Sequence, residues 1–109
     1  MKITCSKSDL LSSVSIAMKA VSNKTTLPIL ECILIESDEQ IKLTATDMEL
    51  GIETYVNGTI LEAGKIAIDA KLFSEIIRKL PDSEIVIETD SNYQALSKIF
   101  PKYGQLGIE

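Results

Sequence analysis

Two stretches of helical period, Ser8 to Val21 and Ala70 to Leu80, each follow a short alternating run and precede further alternating runs. This order, strand then helix then strands, used twice, constrains the chain more than any other feature. It points to an α+β fold with antiparallel sheet. Two helices cannot cover both faces of so many strands, so part of the sheet is expected to stay open or to meet another domain.

In the first unit, Ile3 and Cys5 alternate along Lys2 to Cys5. Ser6 and Asp9 have the spacing of a capping box with the shorter acid. Leu10, Leu11, Val14, Ala17, Met18 and Val21 then share one arc of a helical wheel, with Ser12, Ser15 and Lys19 opposite. Asn23 and Pro28 should stop this helix. "ILECILIES" reads as a buried strand, and "IKLTATD" should turn Ile41, Leu43 and Ala45 inward. "ELGIETYV" follows as a strand, and Asn57-Gly58 carries a hairpin signal because both residues tolerate φ > 0.

The second unit opens with "TILEAGKIAID", two short strands around Gly64. Asp69 is placed as N-cap of the second helix and Pro81 just beyond its end. Leu72, Phe73, Ile76, Ile77 and Leu80 form the expected apolar arc. Lys71 and Arg78 fall nearly in line on the polar side, with Glu75 between them. "SEIVIETD" is again a strand. The tail departs from the pattern: Pro101, Gly104 and Gly107 disfavour a central strand, and Tyr93, Leu96, Ile99 and Phe100 are spaced more like a helix.

Composition narrows the function. A chain of 109 residues with 45% hydrophobic and 25% charged residues is expected to be one globular domain. No run approaches the roughly 20 apolar residues of a membrane span, and the start "MKITCSKSDLL" lacks a signal segment. The expectation is therefore a cytoplasmic protein without membrane contact. With no histidine, the usual triads and the commonest general base are missing. Cys5 and Cys32 lack metal-ligand spacing and read as two reduced core thiols. No cofactor or metal is expected.

One motif argues otherwise. In "TATDMELGIET", Asp47 and Glu49 stand two apart, as do the carboxylates that hold paired metal ions in some nucleases. Further ligands would have to come from Asp69, Asp82 or Asp90. The competing account is ordinary turn and edge chemistry, and the residues favour it. A small protein-interaction domain with an open sheet is a third reading. The net charge of −5 speaks against a tight nucleic-acid binder, but Lys19, Lys24, Lys71 and Arg78 could form a weak, sequence-independent phosphate surface.

Several ordered blocks carry a resemblance: "MKITCSKSDLL", "KTTLPILECILIE", "IKLTATDMELGIET", "GKIAIDAKLFSEIIRKLPD" and "IVIETD". They resemble the start of the bacterial DNA polymerase III beta subunit family, the replication sliding clamps, from Met1 to about Gln94. The resemblance implies the DNA clamp fold: two strand–helix–strands halves, antiparallel sheet outside and two helices on one face. It further implies the first of three similar domains in a subunit that pairs with a second into a ring around duplex DNA. Such a ring is a non-catalytic processivity factor, and its replicative polymerase and clamp loader dock on later domains. By position, Lys24 matches a DNA-touching residue and Lys71 a channel-facing one, with Arg78 and Lys19 extending that surface. Asp47 and Glu49 match the family motif and have no catalytic role there. Residues 1–94 are thus expected to form the clamp domain. Residues 95–109 depart from the family and read as an atypical, truncated or frame-shifted tail.

Overall fold

The computed structural model describes residues 1–21, 28–90 and 95–101. Its elements in chain order are β1 (Lys2–Ser6), α1 (Lys7–Ala17), β2 (Cys32–Ser37), β3 (Ile41–Thr46), β4 (Gly51–Val56), β5 (Gly58–Glu62), β6 (Gly64–Asp69), α2 (Ala70–Lys79), β7 (Glu84–Asp90) and β8 (Ala95–Pro101). One-turn 3-10 helices, Met18–Ala20 and Pro28–Glu31, follow α1 and precede β2. The α+β expectation holds, as does the antiparallel pairing of every strand.

The strands form two four-stranded sheets, in the orders β5-β1-β7-β8 and β4-β3-β2-β6. Each half sends the strand that leads into its helix, β1 or β6, into the other half's sheet. β1 lies between β5 and β7, with Ile3 opposite Ile60 on one side and Ile87 on the other. β6 pairs along the whole of β2, from Cys32 opposite Asp69 to Ser37 opposite Gly64. The strand–helix–strands unit is therefore repeated in sequence but interlocked in space.

This exchange corrects the reading of Asn57-Gly58. The two residues do not close a hairpin, because β4 and β5 belong to different sheets. The chain steps from one sheet to the other there, and the glycine answers a different need. A Cβ on Gly58 would run into the Thr4 carbonyl oxygen of β1. Glycine lets β5 approach β1 that closely.

The helix starts are readable because capping is local. Ser6 Oγ accepts the Asp9 N–H at 3.2 Å, and Asp69 Oδ1 accepts the Leu72 N–H at 2.9 Å. α1 buries Leu10, Ser13, Val14 and Ala17. Ser13 tolerates burial because its hydroxyl donates to the Tyr55 carbonyl at 3.1 Å. α2 buries Ala70, Phe73, Ser74 and Ile77, while Leu72 is 53% exposed. The expected arc is thus rotated toward the small residues Ala70 and Ser74, which permit close approach to the core. Ile41, Leu43 and Ala45 are buried as expected.

Lys7 joins the two halves. Its backbone N–H donates to the Ser83 carbonyl at 2.9 Å, and its Nζ donates to the carbonyl of Leu80 at 2.7 Å. A cation on the last carbonyls of α2 satisfies acceptors that have no partner within the helix.

The tail expectation is corrected in part. Residues 95–101 are extended, not helical: β8 pairs antiparallel with β7 at the edge of its sheet, with Ile99 opposite Ile87. Pro101 is accommodated because it ends an edge strand. Tyr93 lies outside the described residues.

One core cluster unites both sheets and both helices, from Ile3 and Leu10 through Ile35 and Leu43 to Phe73 and Ile87. Cys5 belongs to it, and burial with help from Asp9 and Glu84 pushes its thiol up to about 12 from an ordinary 9.0. The unfolded chain releases this proton first, so stability is fully present below pH 9.0 and declines as pH rises toward 12. Cys32 is only half-buried on β2, and neither thiol is in a disulfide. Iodoacetamide at about pH 8 should label Cys32 in the native protein and reach Cys5 only on unfolding. Equal labelling of both by peptide mapping would contradict this core.

Candidate nucleic-acid interface

Asp47 makes the turn between β3 and β4. Its Oδ1 accepts the backbone N–H groups of Leu50 at 2.7 Å and Glu49 at 2.9 Å, and its own N–H donates to the Leu50 carbonyl at 3.1 Å. Those bonds from Leu50 and Glu49 hold the carboxyl below its usual range. Thr46 Oγ1 accepts the Met48 N–H at 3.1 Å, and Met48 sits at φ 80°, in the left-handed region. The side chain that sequence offered as a metal ligand is thus committed to holding a strained turn. Glu49 is exposed. Asp69 caps α2, and among the described residues no group of three or more Cys, Asp and Glu side chains is placed to hold an ion. The nuclease reading of Asp47 and Glu49 gains no support.

The basic residues are distributed more favourably. Lys71, Glu75 and Arg78 are all exposed on α2 and line one open cleft of about 480 Å³. Met18 and Val21, from the end of the first helical segment, form its apolar wall. Lys19 is exposed on the 3-10 turn between those two residues, next to the cleft in sequence without lining it. Lys24 lies outside the described residues. The structure therefore brings Lys71 and Arg78 together and sets Lys19 on the neighbouring turn.

Sequence reasoning missed two partners in this cleft. Glu31 enters from the 3-10 turn before β2 and Asp69 from the end of β6. Periodicity could not have placed Glu31 there, since the β2–β6 pairing brings its segment to the start of α2. Asp69, by contrast, follows from its place as the α2 N-cap, two residues before Lys71. Lys7 was missed too, although a lysine just after a strand carries no signal for the end of a helix that lies far along the chain.

The model for the DNA polymerase III beta subunit, N-terminal domain, matches residues 1–100. The chain belongs to this family. It is 37% identical over 98 residues to the beta sliding clamp of Synechocystis sp., covering 87% of this chain and 25% of that protein. Identity to the beta sliding clamp of Bacillus subtilis is also 37%, over 102 residues, covering 85% of this chain and 27% of the other. Among solved structures, a putative DNA polymerase III beta subunit from Eubacterium rectale superposes with a TM-score of 0.83 at 55% identity, over 92% of this chain and 28% of that one. The sliding clamp of Bacillus subtilis gives a TM-score of 0.85 at 35% identity, over 95% and 29%. The chain thus spans about a quarter of the length of these relatives. The family model ends inside β8, so the match includes most of that edge strand.

Proposed function

We propose that this chain is the first domain of a bacterial sliding clamp, a non-catalytic module that helps encircle duplex DNA and tether a replicative polymerase. Residues 1–94 supply the clamp domain with β8 added at the edge of one sheet, and the rest of 95–109 is its atypical tail. The observation that carries the reading is the family match across residues 1–100, combined with exposed cations on its helical segments. Lys71 and Arg78 supply phosphate contacts, and Lys19 and Lys24 extend them. A second clamp subunit closes the ring, while polymerase and clamp loader bind other domains, all in the cytoplasm. Among the described residues no helix is long and apolar enough to cross a membrane.

The net charge of −5 fits this proposal. A ring is retained by topology, so its interactions with phosphates can be few and weak. Sequence readout is not needed, and among the described residues no element offers a dense basic stripe.

The test is fluorescence anisotropy of labelled duplex DNA at low salt. Two duplexes of unrelated sequence should bind alike. Replacing both Lys71 and Arg78 with alanine should weaken binding several-fold. It should also flatten the dependence on log salt by about 0.9 for each phosphate that is no longer neutralised. Unchanged affinity and slope in the double variant would remove this surface from the DNA interface.

A further inference from the structure

The cleft that gathers Lys71 and Arg78 also gathers Glu31, Asp69 and Glu75, three carboxylates against two cations. Among the described residues the ion pairs within bonding distance are Lys2–Glu88 and Lys42–Glu36, neither of them in the cleft. Neither Lys71 nor Arg78 has an ion-pair partner within bonding distance among the described residues, and both stand in a field of the opposite sign. Glu75 is one helical turn from each, four residues after Lys71 and three before Arg78, so all three share a face of α2.

We infer that these carboxylates, Glu75 foremost, act as a charge brake on duplex DNA, keeping phosphate contacts at Lys71 and Arg78 weak and short-lived. The inference rests on reading the α2 surface as DNA-facing. A phosphate that approaches either cation also approaches Glu75, whose repulsion offsets part of the attraction. A sliding protein gains from such a balance, because each contact must break before the next can form. Burial does not fix the cleft's charge: Lys71, Glu75 and Arg78 are exposed, so the balance responds to salt and to single charge changes.

The experiment measures duplex-DNA affinity of the 109-residue chain by anisotropy at about 0.1 M salt, where the Debye length is about 10 Å. Glu75→Gln keeps the size and hydrogen-bonding reach of the side chain and removes its charge. It should tighten binding about two- to fivefold, the scale of exposed charge pairs, and steepen the salt dependence. Glu31→Gln should act in the same direction from a different segment. Glu39→Gln is the control: this exposed residue follows β2 at the end away from Glu31, roughly 20 Å distant at the rise of a strand and beyond a Debye length. It changes net charge identically and should leave affinity unchanged.

Tightening by both cleft variants with an inert control supports the brake. No tightening, or equal tightening by Glu39→Gln, overturns it, and the DNA surface survives if the Lys71 and Arg78 double variant still weakens binding. If that double variant is also silent, surface and brake fall together.

Discussion

Phe73→Ala will destabilise the protein by about 3–5 kcal/mol, the usual cost of emptying a large aromatic site in a packed core. Phe73 has 0% exposure and heads the largest fully buried side chains. It reaches into the core from α2, between Ala70 and Ile77, and both helices and both sheets contribute to that one cluster. No second core exists among the described residues to hold part of the fold when this one is opened. Against a total stability of roughly 5–15 kcal/mol, the loss consumes a large fraction. The midpoint of thermal unfolding should fall by at least about 12 °C for a domain of this size.

Leu72→Ala is the matched comparison. Leu72 is adjacent in sequence and 53% exposed, so its truncation should cost no more than about 0.5 kcal/mol. Circular-dichroism melts of the two variants measure the contrast. A Phe73→Ala midpoint within a few degrees of Leu72→Ala would mean that the core is not built as described.

The same pair shows what the sequence carries and what it does not. Helical period places Leu72 and Phe73 together on an apolar arc, because hydrophobicity alone favours the large residues. The structure turns α2 so that small Ala70 and Ser74 face inward beside Phe73, and Leu72 is left outside. Close approach of a helix is decided by small residues, which periodicity counts as neutral. Local chemistry is easier to read. Ser6, Asp69 and the Asp47 turn act within three residues of themselves, and each does what its spacing suggests.

Strand partners are not legible. Alternation in Ile41, Leu43 and Ala45 says which face is buried, and nothing about which strand lies alongside. Asn57-Gly58 has the propensity of a turn, whereas its glycine serves a close approach to Thr4, more than fifty residues earlier. β8 escapes a sequence reading for a related reason. Pro101 disfavours a central strand, but sequence does not say that β8 lies at an edge. The candidate interface divides the same way. Lys71, Glu75 and Arg78 share a helix face and can be grouped from spacing, with Asp69 beside them as the helix cap, while Glu31 joins them only through β2 pairing with β6.

That exchange of strands leads to the second large effect: the chain divided between β4 and β5, giving residues 1–57 and 58–109, will not fold as two halves. The first piece keeps β2, β3 and β4 but loses β6, which pairs with β2 over its full length. It also carries β1 without either neighbour, since β5 and β7 are on the other piece. The second piece loses the strand that joins β5 to β7, so its sheet falls into an isolated β5 and the β7–β8 pair. Two strands without a covered face are marginal in water at best. Each piece would also expose its share of a core that is contiguous only in the whole. Neither piece alone should show a cooperative melt or dispersed amide resonances, and mixing them should restore both, because the interlocked strands need no covalent link at Asn57. A cooperative transition in either isolated piece would show that the repeated units are separable folding units, and that the exchanged strands β1 and β6 are not what makes the domain one.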